Sequence, residues 1–181
     1  MDLKAAAGLA QLSSLVIFVT IARWYAVPWL RTRGRADALT ALLWVHVFRG
    51  VALQVYSAQR AGFPISDSGA DRIVYGDLGG MLLAMIALFA LRYRSRWSIP
   101  LVWLLVAETL FDSVTNVSGG IREHLFGAAN GVTWMVVSFY LPLLMVSVGL
   151  TVWQLYTRRG EPLERTTADK PWVSNRISMA R

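Results

Sequence analysis

His46 and Arg49 lie close together in WVHVFRGVALQVY, residues 44 to 56, a stretch apolar enough to cross a bilayer. A charged side chain at the centre of a bilayer costs at least about 2.5 to 3.5 kcal/mol, so it needs a partner, a water-filled cavity or a function. Other apolar stretches of the chain carry three carboxylates: Asp77, Glu108 and Asp112. An arginine fork matches carboxylate geometry, so we expect Arg49 to pair with one or two of them.

Together, His46, Arg49 and the three carboxylates contain more acidic than basic side chains. A proton on a carboxylate, a proton on His46 or a bound cation would balance the excess. A carboxylate beside a histidine suits either proton transfer or the binding of a cationic ligand. The alternative is a structural ion pair of Arg49 with Asp77 or Asp112 that fixes the register of the helices.

Two further groups of polar residues have helical spacing. Glu108, Asp112 and Asn116 follow one another at intervals of four residues, as do Asn130, Trp134 and Ser138, so each group shares a helix face. We therefore predict one polar pocket, and its candidate residues are His46, Arg49, Asp77, Glu108, Asp112, Asn116, Trp134 and Ser138. No spacing typical of metal ligands occurs, so we predict no metal site, and the cofactor stays unknown.

The composition places these residues in a membrane protein. Of 181 residues, 55% are hydrophobic and only 16% are charged, which is too apolar for an ordinary soluble domain. Five stretches are long enough to span a bilayer, at residues 7–28, 39–58, 73–91, 99–117 and 132–156. The predicted fold class is all-α, a polytopic membrane bundle of five transmembrane helices. The chain has no cysteine, which excludes disulfides and thiolate chemistry.

The basic residues predict the orientation of this bundle. They concentrate in the first loop, the third loop and the C-terminal segment: Arg31, Arg33, Arg35, Arg92, Arg94, Arg96, Arg158, Arg159, Arg165, Lys170, Arg176 and Arg181. The positive-inside rule then puts the N-terminus outside and the C-terminus inside. The net charge of +7 reflects this topology and does not indicate a nucleic-acid partner. We predict two domains, a transmembrane domain at 1–156 and a polar, mobile cytoplasmic tail at 157–181.

In this orientation the polar side chains lie between the midplane and the outer surface. His46 and Glu108 fall near the midplane, whereas Arg49, Asp77 and Asp112 fall in the outer half, at about 1.5 Å per helical residue. The inner halves are almost purely aliphatic. We therefore expect a pocket that opens to the outside.

Four short motifs resemble a known family. They are HVFR (46–49), YGDL (75–78), Trp103 followed by Asp112, and FYLP (139–142). Together, over about residues 40–156, they resemble an uncharacterised family of small five-span bacterial inner-membrane proteins. That family has an N-x-x-G-x-x-D motif on the fourth span, where this chain has Val106 and Thr109 and adds Glu108. The resemblance implies a bacterial inner membrane and a matching set of His46, Arg49, Asp77 and Asp112, but it implies no activity.

Three functions remain open. The first is an outward-facing pocket that binds a small amphipathic or cationic ligand. The second is a small membrane enzyme that acts on a lipid or isoprenoid, with Glu108 or Asp112 donating a proton and His46 or Asp77 accepting one. The third is an accessory subunit of a larger membrane complex. The expected partners are the bilayer, a lipophilic small molecule, and a second copy or another membrane subunit.

Overall fold

The fold is a bundle of five long helices. The computed structural model describes residues 2–163, and this part of the chain contains helices and turns but no strand. The long helices are α1 (Leu3–Arg31), α2 (Arg35–Arg60), α3 (Asp67–Arg92), α4 (Ser98–Arg122) and α5 (Gly131–Thr157). Each is long and apolar enough to cross a membrane, which confirms the five predicted segments. Each also extends past its predicted bounds, because charged end turns continue a helix that hydropathy no longer detects.

Helix α2 lies in the middle of the bundle. It packs against α3 and α5, and α3 packs against α4. Helix α1 is peripheral and lies along α5, where Phe18 contacts Phe139 edge to face with ring centroids 4.9 Å apart. Only 11% of the apolar window of α1 is buried, compared with 44% for α2.

Two apolar clusters occupy opposite ends of the bundle. The larger one contains buried residues from the first half of α2 and α4 and the second half of α3 and α5: Ala36, Leu39, Leu43, Ala84, Ala87, Leu88, Leu91, Val102, Leu105, Val106, Val148 and Leu155. The smaller one lies at the other end, around Val55, Ile65 and Val74. Along each of α2, α3 and α4 the acidic and basic side chains of the predicted pocket fall between these two clusters.

Three helices depart from regular α geometry. Helices α1 and α5 each contain a π-helical turn, at Ala22–Ala26 and Val136–Tyr140, shortly before Pro28 and Pro142. Proline has no N–H and its ring crowds the carbonyl four residues earlier, so the hydrogen-bonding pattern shifts there. In α2, Phe48–Leu53 forms a tighter 3₁₀ segment.

The basic loops meet at one end of the bundle. Arg158 Nη2 donates to the Arg33 carbonyl at 2.7 Å, and Glu161 Oε1 accepts from the Arg35 N–H at 3.1 Å. Arg94 from the third loop lies 3.9 Å from Asp37. Residues 158–163 thus fold back on the first loop, and the remainder of the predicted tail, 164–181, lies outside the described residues.

At the opposite end of the bundle, Glu123, which directly follows α4, connects α4 to the loop before α3. Its Oε2 accepts from the Ser66 N–H at 2.9 Å, and Ser66 caps α3 by accepting from the Gly69 N–H at 3.0 Å. The loop before α3 is therefore attached to the end of α4. This contact fixes the ends of the two helices that carry the three carboxylates.

Candidate functional site

Arg49 is the centre of the polar cluster. Its side chain is fully buried, and each guanidinium nitrogen donates to a different carboxylate. Nε lies 2.7 Å from Asp77 Oδ1, Nη1 lies 2.6 Å from Glu108 Oε2, and Nη2 lies 2.6 Å from Asp112 Oδ2. One side chain therefore connects α2 to both α3 and α4. Charge-assisted hydrogen bonds of this length are among the strongest in proteins.

The local backbone explains how these groups converge. Arg49 belongs to the 3₁₀ segment of α2, whose tighter winding changes the direction of the side chain relative to an α-helix. Glu108 and Asp112 lie one turn apart on α4 and so face the same side. Thr109, between them, also accepts from Arg49 Nη1, at 3.1 Å.

Two glycines of α3 make room for the cluster. A Cβ atom at Gly80 would lie 2.0 Å from Arg49 Nη1, and one at Gly76 would lie 2.0 Å from Asp112 Oδ1. Only glycine fits at such positions, because a methyl group would overlap the charged side chains. At Gly79, by contrast, a Cβ atom would have no contact within 4 Å.

His46 lies one turn before Arg49 and is 1% exposed. Its Nδ1 lies 3.4 Å from Thr109 Oγ1, and its Nε2 is buried without a hydrogen-bond partner. Among the described residues no hydrogen bond or ion pair joins His46 to a carboxylate. The direct contact between histidine and carboxylate that proton transfer requires is thus not formed here.

Asn116 extends the cluster along α4. Its Nδ2 donates to Asp112 Oδ2 at 3.1 Å, whereas its Oδ1 is buried and has no partner. A buried acceptor without a donor is unfavourable by roughly 1 to 3 kcal/mol, so it marks a place where a donor is expected.

A cavity of about 140 Å³ lies beside these side chains. One part of its wall contains the polar residues Asp77, Asp112 and Asn116, together with Thr133 and Tyr140. The rest of the wall is mainly apolar and includes Val51, Ala52, Val55, Phe63, Ile73, Val117, Leu125, Phe126, Ala129, Val132, Val136, Val137, Leu141 and Leu144. A mostly apolar cavity with a few convergent polar groups is typical of small-molecule sites.

The eight predicted site residues occupy different positions relative to this cavity. Asp77, Asp112 and Asn116 line it. The other members of the cluster, His46, Arg49 and Glu108, are not among its lining residues; Arg49 contacts the two lining aspartates from outside the wall.

Trp134 and Ser138 lie outside both the cluster and the cavity lining. Trp134 is 36% exposed, and Ser138 is buried with its hydroxyl unpaired. The π-helical turn at Val136–Tyr140 lies between regular segments of α5, so residues spaced by four no longer share one face there.

Four polar residues of the lining are not among the predicted site residues. Gln54, Ser113, Thr133 and Tyr140 line the cavity. Tyr140 also donates to the Val45 carbonyl at 2.9 Å, which connects α5 to α2 beside His46. The FYLP motif indicates a polar contact at Tyr140, because a tyrosine inside an apolar span needs a partner for its hydroxyl group.

The arrangement of the acidic groups does not suit a metal ion. The described residues contain no group of three or more His, Cys, Asp or Glu side chains that could hold one. The guanidinium of Arg49 occupies the point on which the three carboxylates converge. With His46 neutral, the cluster still has two more carboxylates than cationic groups.

Fold and site together define the class of this protein. It is an all-α bundle of five helices that are long and apolar enough to cross a membrane, with a buried arginine and three carboxylates at its centre. The chain belongs to the family described as a domain of unknown function, DUF8737, whose model matches residues 6–156. No curated protein and no solved structure is significantly similar to the chain.

Proposed function

We propose that this chain is an integral membrane protein that binds a small amphipathic ligand with a cationic head group. The observation that carries the proposal is the mainly apolar cavity with Asp77, Asp112 and Asn116 in its wall. The cationic group of the ligand would lie against the two carboxylates. Its apolar part would contact the remaining wall.

The charge balance of the cluster supports a cationic ligand. Arg49 compensates one of three carboxylates, so the other two require further compensation, by protons or by cations, in a medium of low dielectric constant. A ligand with a positive charge supplies part of it. Arg49 then acts as a positioning residue that holds Asp77 and Asp112 in place before the ligand arrives.

Acid–base catalysis has less support in this geometry. A proton relay through His46 would need a carboxylate within hydrogen-bond reach, but its Nδ1 faces Thr109. We therefore favour binding over turnover. The role of an accessory subunit would require an interface for a protein partner, and the cavity provides no support for one.

We further propose that the bundle crosses a bacterial inner membrane with its basic end in the cytoplasm. The first and third loops and residues 158–163 meet at that end, as expected for segments on one side of a membrane. The cavity then lies towards the outer half of the bilayer. Asp112 in its wall is about 15 Å along α4 from Arg122, the end away from the basic loops, at 1.5 Å per residue, and it is farther from Ser98. The bacterial location rests on the resemblance of the motifs.

Native mass spectrometry of the protein purified in mild detergent tests the binding proposal. We expect a discrete added mass on the native protein and loss of that mass in Asp112→Asn. This substitution keeps the size and most hydrogen bonds of the side chain but removes the charge that would attract the ligand. Val137→Phe, which adds volume inside the cavity, should lose the same mass without touching the charged cluster.

Asp71→Asn is the matched control, because Asp71 lies on α3 outside the cavity and accepts from the exposed Tyr56 hydroxyl. It should retain the added mass. An added mass of equal abundance in all four proteins would show that the molecule binds elsewhere and would contradict the proposal. Circular dichroism confirms that each variant is folded.

A further inference from the structure

A second depression lies on the outside of the bundle next to the cavity. It is a groove of about 570 Å³ between α1, α4 and α5. Its wall includes Gln11, Leu12 and Leu15 from α1, Val114 from α4 and Met145 from α5. In a bilayer this groove would face the acyl chains, because its lining residues belong to helices that are apolar enough to cross a membrane.

The groove and the cavity share part of their walls. Ser113, Val117 and Leu141 line both spaces. A layer of side chains from α4 and α5 therefore separates the outside of the bundle from the polar wall. Asp112, which is 8% exposed, immediately precedes Ser113 in this layer.

Two features favour passage between the two spaces. Leu141 directly follows the π-helical turn of α5, and such turns often occur at functional sites. Helix α1, on the other side of the groove, is the least buried of the five helices, so its displacement exposes less packed surface than that of any other helix. Movement of α1 would thus widen the groove on the bilayer side of this layer.

The acceptors of the polar wall determine the head group. The two carboxylates of the wall, Asp77 and Asp112, accept hydrogen bonds, and Arg49 uses its Nε, Nη1 and Nη2 on carboxylates of the cluster. A primary ammonium has three donors and no acceptor, and it carries the charge that the cluster lacks. A carboxylate or phosphate head group would be repelled.

We propose that the ligand is a single-chain alkyl amine that reaches the cavity from the bilayer, with its ammonium group at Asp112, the first part of its chain against the apolar cavity wall and the rest of its chain in the groove. This inference rests on the proposed function, and it adds the chemical class of the ligand and its route of entry. The chain leaves the cavity between Ser113 and Leu141. The ligand therefore never has to cross the aqueous phase.

Photocrosslinking in phosphatidylcholine nanodiscs tests this route. The probe is dodecylamine with a diazirine at the end of its chain, and the labelled residues are located by peptide mass spectrometry. We expect adducts on groove residues such as Leu12, Leu15 and Val114. Excess unlabelled dodecylamine should abolish them, dodecanoic acid should not, and Asp112→Asn should lose them.

A pair of tryptophan variants controls for the lipid that surrounds the protein. Leu12 lines the groove and Leu9 does not, although the two residues are 59% and 58% exposed. We expect Leu12→Trp to lose the labelling of Leu15 and Val114, and Leu9→Trp to keep it. Equal labelling in both variants, or labelling spread over all exposed faces of the helices, would overturn the proposed route.

The soluble analogue hexylamine separates this inference from the proposed function. If hexylamine binds to the native protein and not to Asp112→Asn while dodecylamine fails to label the groove, the cavity binds amines but the route through the groove is wrong. If neither amine shows binding that depends on Asp112, the proposed function fails as well.

Discussion

At the scale of single residues, the fold depends on the hydrogen-bond partners of the buried Arg49 guanidinium. Its planar fork directs three nitrogens to three carboxylates on two other helices, at 2.6 to 2.7 Å. A lysine would retain the charge, but a single ammonium group cannot reproduce this set of directions. Arginine is therefore the side chain that this geometry requires.

We expect Arg49→Lys to lower the stability of the bundle by about 1.5 to 3 kcal/mol, the range for the loss of a hydrogen bond to a charged group. The measurement is the thermal unfolding midpoint in mild detergent. Arg60→Lys is the control, because Arg60 lies exposed at the end of α2 and should unfold like the native protein. Equal unfolding midpoints for the native protein and both variants would show that the guanidinium geometry of Arg49 does not contribute to stability.

Much of this cluster could be predicted from the sequence. A buried arginine needs partners, and only a few acidic residues lie at a similar depth, so Asp77, Glu108 and Asp112 could be named. The full set of three contacts could not, because it depends on the 3₁₀ segment that turns Arg49. The lining by Gln54 and Tyr140 depends on how α2, α4 and α5 cross, which local patterns do not encode.

At the scale of secondary structure, α3 is adapted to close packing by Gly76 and Gly80. Both lie on the face turned towards the cluster, one turn apart, and neither leaves space for a Cβ atom. A Cβ atom at Gly79, the neighbour of Gly80, would have no contact within 4 Å. The same helix thus offers a test position and its own control.

Gly80→Ala should destabilise the bundle by about 1 to 3 kcal/mol, as expected when a methyl group is forced into a packed site. Gly79→Ala should be neutral or stabilise the helix by up to about 1 kcal/mol, since alanine is the better helix former. Thermal unfolding of the two variants under identical conditions gives the comparison. A larger loss for Gly79→Ala would contradict the packing described for α3.

The helix positions themselves were the most predictable feature. All five apolar segments form long helices, and the π-helical turn of α5 contains Ser138 and ends two residues before Pro142. What the sequence did not reveal is the effect of that turn on register. The predicted face of Asn130, Trp134 and Ser138 is therefore not continuous, because Ser138 lies inside the π turn, where residues spaced by four no longer share one face.

At the scale of the whole molecule, the two ends of the bundle differ in charge. The first and third loops lie at one end and together contain six arginines: Arg31, Arg33, Arg35, Arg92, Arg94 and Arg96. At the other end, the Glu123 side chain accepts from the Ser66 N–H and connects two helices. The positive-inside rule predicts that the first of these ends faces the cytoplasm. With that orientation, we expect the cavity to lie on the opposite side of the midplane.

Cysteine labelling tests this orientation without background, because the chain contains no cysteine. We expect Ala61→Cys to react with a membrane-impermeant maleimide in intact cells and Thr32→Cys to react only after permeabilisation. Both positions are exposed in the loops at opposite ends of the bundle. Labelling of Thr32→Cys in intact cells, with Ala61→Cys protected, would reverse the topology.

The most direct test of amine binding at Asp112 is calorimetric titration of hexylamine into the purified native protein and Asp112→Asn. We expect saturable binding to one site in the native protein, no binding in the variant, and no competition by hexanoate. Equal binding to both proteins, or saturable binding of hexanoate alone, would contradict it.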